Sequence, residues 1–232
     1  MGSFWTRLFD LIAPRSCAAC DRRLGESERA VCLNCLLALP RTHYAENPYD
    51  NPMAQLFWGQ IPVERAAAWF FYQPASPYSP MIHHLKYHQQ EEIGHFIGRV
   101  AAEEFAEHQF FDGIDGLLPI PLTKRRQRQR GYNQSRVIAS GISEVTGIPI
   151  LDGVVRRTHF EESQTHKTAA ERRKNVKGVF EVINAEALAN RHILVIDDII
   201  TTGSTIISFC QEVAEKSPSV KISIFSAGFT RS

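Results

Sequence analysis

Two adjacent acids and a hydroxyl-rich stretch follow the very apolar residues 193–196. Gly203 within this stretch allows the backbone to approach a ligand closely, and the free N–H groups of a first helical turn attract anions. Two carboxylates would repel that anion, so we expect them to accept hydrogen bonds from the vicinal hydroxyls of a sugar. The pattern predicts a ribose phosphate pocket, and the alternative is a capped turn beside solvated acids. The candidate residues are Asp197 and Asp198 for the ribose, and Thr201, Thr202, Gly203, Ser204 and Thr205 for the 5-phosphate.

A second chemically suggestive set consists of four of the five cysteines, arranged as two Cys-x-x-Cys pairs. Two such pairs separated by a short loop suit tetrahedral Zn²⁺, and four protein ligands leave no open position for catalysis. We therefore predict a structural zinc site; two disulfides or a redox pair are the alternatives. The proposed ligands are Cys17, Cys20, Cys32 and Cys35.

The net charge is only +1, yet 13 of the 26 Lys and Arg residues fall in two segments, 124–136 and 156–177. Such a region suits a diphosphate or a nucleic-acid backbone, with Tyr132 or Phe160 as a stacking platform, although charged runs are often only solvated surface. The candidates for this basic surface are Arg126, Arg128, Arg130, Arg172, Arg173 and Lys174.

The elements that must position these residues alternate between strand and helix. We predict strands at 66–72, 116–121, 148–155, 179–183, 192–197 and 221–229. We predict helices at 4–12, 79–108 with a possible break near Gln89, 132–146 and 204–216, and a long loop at 156–177. Apolar strands that alternate with helices indicate an α/β fold with a mainly parallel sheet, flanked by helices on both faces.

The 232 residues, 44% hydrophobic and 22% charged, are ordinary for a soluble globular protein. No apolar run approaches the roughly 20 residues that span a bilayer, so we expect a cytoplasmic protein without membrane insertion. We divide the chain into an N-terminal helix and four-cysteine zinc module over 1–45, and a larger domain over 46–232 that includes a linker and a hood.

Several motifs occur in the order found in the ComF/GntX family, which this sequence resembles. They are the cysteine pairs, His84-Leu85-Lys86-Tyr87, Ile120-Pro121-Leu122, Arg130-Gly131-Tyr132-Asn133-Gln134-Ser135, Arg172-Arg173-x-Asn175-Val176 and the acidic loop at 197–205. The resemblance implies a type I phosphoribosyltransferase-like fold with a small N-terminal zinc-ribbon-like module. It also implies phosphoribosyl diphosphate (PRPP) with Mg²⁺ as ligand, and a link to natural competence, the uptake of DNA.

The resemblance further assigns the turn after the strand at 116–121 to the diphosphate. That turn contains Leu122, Thr123, Lys124 and Arg125. The segment 161–177 is expected to be a mobile lid, and its Lys167 joins Asp197 and Asp198 as a candidate catalytic residue.

Two main hypotheses follow. The favoured one is a phosphoribosyltransferase whose acceptor is read by a hood near residues 50–90. The alternative is a non-catalytic, PRPP-sensing protein that binds single-stranded DNA and works with the competence machinery. A third hypothesis makes the zinc module the nucleic-acid reader.

Overall fold

The computed structural model describes residues 15–87, 90–158 and 179–230. The strands are β1 (Arg65–Phe71), β2 (Gly116–Pro119), β3 (Val155–Arg157), β4 (Phe180–Val182), β5 (His192–Ile200) and β6 (Lys221–Phe229). Four of them form one fully parallel sheet in the order β1-β6-β5-β2, whereas β3 and β4 pair antiparallel in a separate ribbon. The C-terminal ends of β1, β6, β5 and β2 therefore meet at one edge of the sheet.

Helices flank the sheet and precede it. They are α1 (Leu33–Leu37), α2 (Pro52–Gln55), α3 (Ser79–Tyr87), α4 (Glu91–Ala106), α5 (Lys124–Arg130), α6 (Gln134–Thr146) and α7 (Ser204–Lys216). Within the described ranges, none of them is long and apolar enough to cross a bilayer.

The centre of the core is β5. Residues 193–196 are all fully buried, although successive side chains of a strand point to opposite faces of the sheet. Both faces of β5 are therefore covered, which explains why this strand is a continuous apolar run rather than an alternating one. The predicted α/β fold with a parallel sheet flanked by helices is confirmed.

Helices α4 and α6 pack unusually closely beside the sheet. A Cβ atom added to Gly98 of α4 would lie 2.0 Å from the carbonyl oxygen of Ile138, and one added to Gly141 of α6 would lie 2.1 Å from that of His95. Only glycine allows the two backbones this approach. The pair holds the start of α6 firmly against the ends of β2 and β5.

The cysteine-rich segment is tied to this body through Arg41. Its guanidinium donates to both carboxylate oxygens of Glu104 at 2.7 and 2.8 Å and lies 4.5 Å from the ring centroid of Trp69. Trp69 in turn donates its indole N–H to Glu104 at 2.7 Å. Two partly buried charged groups and a buried indole thus satisfy one another where the module meets α4 and β1.

Several predicted elements are corrected. The strand predicted at 148–155 is reduced to one bridge between Ile150 and Leu117, and the chain becomes extended again only at β3. The segment predicted as a strand at 179–183 pairs with β3 and not with the main sheet. The stretch predicted as helical at 79–108 contains two described helices, α3, which ends at Tyr87, and α4, which begins at Glu91. The helix predicted at 4–12 and most of the loop predicted at 156–177 lie outside the described residues.

Candidate functional site

The two acids lie at the end of β5, inside the strand rather than beyond it. The strand was predicted to end at Asp197, but it continues to Ile200, since Asp197 pairs with Ser226 and Ile200 pairs with Phe229 of β6. On the other side, the backbone N–H of Ile120 donates to the carbonyl of Ile196 at 3.0 Å. The acids therefore stand between the ends of β6 and β2, at the centre of the sheet edge.

Asp197 faces the start of α6. The hydroxyl of Ser135 donates to its Oδ1 at 3.2 Å, and the backbone N–H of Asp198 donates to the same oxygen at 2.9 Å. Burial, followed by the charge of Asp198, raises the pKa of Asp197 from 3.8 to about 7, although these hydrogen bonds and Lys86 oppose the rise. A carboxyl that changes charge near neutral pH thus sits at the centre of the site.

The second acid, Asp198, contacts α3. The ammonium of Lys86 lies 3.2 Å from its Oδ2, with 24% of the lysine side chain and 13% of the aspartate side chain exposed. Reasoning from sequence did not place Lys86 or Ser135 in the site. Both stand in motifs that we quoted for the family resemblance, and those motifs were the only available signal.

The stretch 201–205 forms the junction between β5 and α7. Gly203 has a φ of +74°, a left-handed conformation that favours glycine, and Phe57 packs against it. No side chain caps α7, so the N–H groups of its first turn point outward, with the helix dipole behind them. The hydroxyls of Thr202 and Ser204 lie 2.8 Å apart. The four hydroxyl-bearing members of this stretch, Thr201, Thr202, Ser204 and Thr205, are all exposed.

The residues predicted for the diphosphate do not form an open turn. Thr123 accepts a hydrogen bond from the N–H of Arg126 at 3.2 Å and so caps α5, which already contains Lys124 and Arg125. Leu122 and Thr123 are partly buried, whereas residues 124–129 of α5 are exposed and Arg130 is partly buried. Helix α5 projects most of its positive charges into solvent one strand away from the acids.

The residues predicted for the basic surface that the structure describes all belong to α5. Arg126 and Arg128 are exposed, and Arg130 lies 5.6 Å from the ring centroid of Tyr87 while donating to Gln134 at 2.7 Å. The remaining predicted residues of the lid and basic surface, together with one proposed stacking platform, fall outside the described residues: Lys167, Arg172, Arg173, Lys174 and Phe160.

Tyr132 cannot serve as a stacking platform. Its side chain is buried, and its hydroxyl donates to the carbonyl of Leu85. Burial raises its pKa to about 12. The exposed ring in this neighbourhood is Tyr87, with half of its surface open to solvent.

Arg157 is a further residue that the sequence did not assign. Its guanidinium lies 5.1 Å from the ring centroid of Phe180, and burial followed by the charge of Arg126 lowers its pKa, while Asp197 opposes this. The charges of Arg126 in the basic helix and of Asp197 therefore both act on Arg157.

The four predicted metal ligands come together. The Sγ atoms of Cys17, Cys20, Cys32 and Cys35 all lie within 4.8 Å of one another, and those of Cys20 and Cys32 are 3.8 Å apart. Zn–S bonds of about 2.3 Å imply an edge of roughly 3.8 Å for a tetrahedron of sulfurs. All five cysteines are free, and the hydrogen bonds around Cys32 lower its pKa to about 7 against the effect of burial. The cluster can bind a metal ion such as zinc.

Comparison with known proteins agrees with this fold. Residues 128–228 match the family model described as "Phosphoribosyl transferase domain". The DNA utilization protein YhgH of Escherichia coli is 28% identical over 198 residues, which cover 84% of this chain and 82% of the relative.

Two relatives carry competence in their names. Competence protein F of Haemophilus influenzae is 30% identical over 134 residues, covering 56% of this chain and 58% of the relative. Competence protein ComFC of Bacillus subtilis is 30% identical over 109 residues, covering 47% of this chain and 42% of the relative. The chain thus carries a phosphoribosyltransferase-like domain. Within that class, its similarity to these relatives supports the resemblance to the ComF family.

Proposed function

We propose that this protein binds PRPP with Mg²⁺ at the C-terminal edge of its sheet and transfers the phosphoribosyl group to an acceptor. One juxtaposition carries the proposal: a carboxylate pair at the end of β5 stands a few residues before the uncapped, hydroxyl-rich N-terminus of α7. A ribose 5-phosphate offers both hydroxyls for the carboxylates and an anion for the helix N-terminus. The match to a phosphoribosyl transferase domain supports the same ligand class.

Different residues would bind the different parts of PRPP. Asp197 and Asp198 accept hydrogen bonds from the ribose hydroxyls, and the N–H groups and hydroxyls of 201–205 bind the 5-phosphate. The cations after β2, with Lys124 and Arg125 first, would bind the diphosphate. Mg²⁺ prefers oxygen ligands and commonly joins one or two carboxylates to substrate phosphates, which this donor set fits, and it would supply positive charge to the leaving diphosphate.

Transfer breaks the bond between C1 and the diphosphate oxygen, and the electron pair leaves with that oxygen. The acceptor's lone pair forms the new bond at C1, and positive charge builds on the ribose as the bonds exchange, as in other glycosyl transfers. The carboxylates beside the ribose stabilise that positive charge, whereas the cations of α5 stabilise the negative charge of the diphosphate. The two kinds of charge lie on neighbouring strand ends, as this division requires.

A cavity of about 700 Å³ at the end of β1 is the candidate for the acceptor, within the predicted hood. Tyr72 and Tyr78 contribute aromatic rings to its lining. Flat rings suit a planar ligand such as a nucleobase.

Turnover tests this function. The protein is incubated with Mg²⁺, PRPP and a panel of nucleobases and other planar amines, and diphosphate release is measured. We expect release that depends on an acceptor, and loss of release in Asp197→Asn/Asp198→Asn. Absence of release with every acceptor, despite PRPP binding, would favour the non-catalytic alternative.

A specific observation also favours the second candidate function, binding of single-stranded DNA. Helix α5 carries five basic residues and no acid, buries none of its side chains, and places like charges four residues apart, which destabilises a helix. A polyanion laid along it would relieve that repulsion, and the name of the Escherichia coli relative, DNA utilization protein YhgH, points to DNA. Neighbouring Tyr87 offers an exposed ring for base stacking.

A salt series distinguishes this use from simple surface charge. Binding of a fluorescent oligo(dT) should weaken steeply with salt, and Arg126→Gln/Arg128→Gln should reduce the slope of log K against log salt by about 1 to 2. The exposed Lys221, at the opposite edge of the sheet, provides the control variant Lys221→Gln. Equal slopes in all three proteins would rule out α5 as the contact surface.

A further inference from the structure

Lys86 is the charged group nearest to the acid pair, and it comes from outside the matched domain, which begins at Arg128. It stands in the last turn of α3, and its ammonium is 3.2 Å from Asp198. The ion pair is only partly buried, so neither partner needs the other to avoid a fully desolvated charge. The contact can therefore be exchanged for another.

The end of α3 is held between β5 and the basic helix. The carbonyl of Leu85 accepts the hydroxyl of Tyr132, and the ring of Tyr87 lies beneath the guanidinium of Arg130. These two contacts fix the residues on either side of Lys86 against the segment that joins α5 to α6. Asn133 of that segment donates to the carbonyl of Ile120, and Ile120 is the hydrogen-bonded neighbour of Ile196 beside the acids. The Lys86 ammonium thus lies between the group that would hold the ribose and the groups that would hold the diphosphate.

The ribose hydroxyls and the diphosphate of PRPP would act on the Lys86–Asp198 ion pair in different ways. A ribose hydroxyl donates to a carboxylate, so its arrival at Asp198 competes directly with the ammonium. An ammonium has three donors and no acceptor, on a flexible four-carbon chain, so it turns readily to an anionic oxygen nearby. The 1-diphosphate of PRPP would bring such oxygens to the α5 side of the ribose.

We infer that Lys86 is a diphosphate-contacting residue, paired with Asp198 in the free protein and transferred to the diphosphate when PRPP binds. This inference rests on the proposed function, because it needs a ribose diphosphate in the site. It assigns a direct contact with the leaving group to α3, which lies outside the matched residues 128–228.

Two probes that differ only in the diphosphate test the inference. Calorimetric titrations compare Mg²⁺·PRPP with ribose 5-phosphate for the wild type, Lys86→Met, Lys86→Gln and Lys86→Arg, with Lys221→Met as the matched control. Loss of a charge-assisted contact should weaken PRPP binding about tenfold or more in the Met and Gln variants. Ribose 5-phosphate should bind them at least as tightly as the wild type, because Asp198 is freed. Lys86→Arg should remain within about tenfold of the wild type for PRPP, since it keeps the charge.

Other patterns overturn the inference. If both probes weaken together, Lys86 only maintains the shape of the site, and if both tighten together, it is merely a competitor of the ligand. Unchanged PRPP affinity in the Met and Gln variants excludes the contact while leaving the proposed function intact. If the wild type binds neither probe, the proposed function fails and the inference fails with it.

Discussion

Replacing Asp197 with Asn should stabilise the protein while removing its ability to hold a ribose. The carboxyl of Asp197 is held at the end of β5 by Ser135 and by the N–H of Asp198, both of which donate to the same oxygen. An Asn side chain keeps that accepting oxygen and replaces the other carboxylate oxygen with an uncharged NH₂ group. The stabilisation therefore measures what it costs the fold to keep an ionised acid in this position.

The magnitude follows from the pKa. Burial and the neighbouring Asp198 raise the pKa of Asp197 from 3.8 to about 7. A raised acid pKa means that the folded protein binds the proton more tightly than the unfolded chain does. The stability that this group contributes to the wild type is therefore fully present below about pH 4, and it is lost as pH rises through about 7. The full loss is about 4 kcal/mol, of which about 3 kcal/mol develops between pH 5 and pH 8.

Urea unfolding of the wild type and Asp197→Asn at about pH 5 and about pH 8 measures the effect. The variant should be more stable than the wild type by a few kcal/mol at the higher pH, and the difference should shrink toward the lower pH. Asp50→Asn, at an exposed acid, is the control and should show no such trend. A variant that is no more stable than the wild type at pH 8, or a difference in stability that does not depend on pH, would refute the raised pKa of Asp197.

Two further predictions concern the cysteine cluster and the phosphate loop. Protein purified without added reductant should contain about one zinc per chain. Cys20→Ser should lose that zinc, whereas Cys210→Ser, at a buried cysteine of α7, should retain it; a count of two disulfides would contradict the metal site. Gly203→Ala should cost about 1 to 2 kcal/mol and weaken ribose 5-phosphate binding, because φ is +74° and the new Cβ would lie 3.1 Å from Phe57. Gly59→Ala, at a similar φ of +71° with open space around it, should lose stability without weakening the ligand, and equal ligand loss in both would contradict the loop's role.

The sequence predicted the parallel sheet and the placement of its central strand because an uninterrupted apolar run is typical of a strand buried on both faces. It failed at residues 148–157, where one apolar stretch splits into a single bridge and a short strand that pairs away from the sheet. Periodicity cannot reveal this, because the pairing partner of β3 lies across a long insertion. The cysteine cluster was predictable because the spacing of its ligands is local.

The site itself was only partly predictable for the same reason. Asp197, Asp198 and the loop that follows them are contiguous, so their chemistry is visible in the sequence. Lys86 contacts Asp198 although the two are 112 residues apart in the sequence, and no pattern of charge or spacing points to it. Tyr132 was taken for a stacking platform because aromatic type does not reveal burial, and the structure turns its hydroxyl inward to Leu85.

The central claim is that the end of β5 and the start of α7 hold a ribose phosphate, with the two acids on the sugar. Titration of Mg²⁺·PRPP into the wild type and into Asp197→Asn/Asp198→Asn, with matched circular dichroism spectra, tests it most directly. The account predicts saturable binding to the wild type and loss of binding in the folded double variant. Equal affinity in both proteins, or no binding to the wild type, would contradict it.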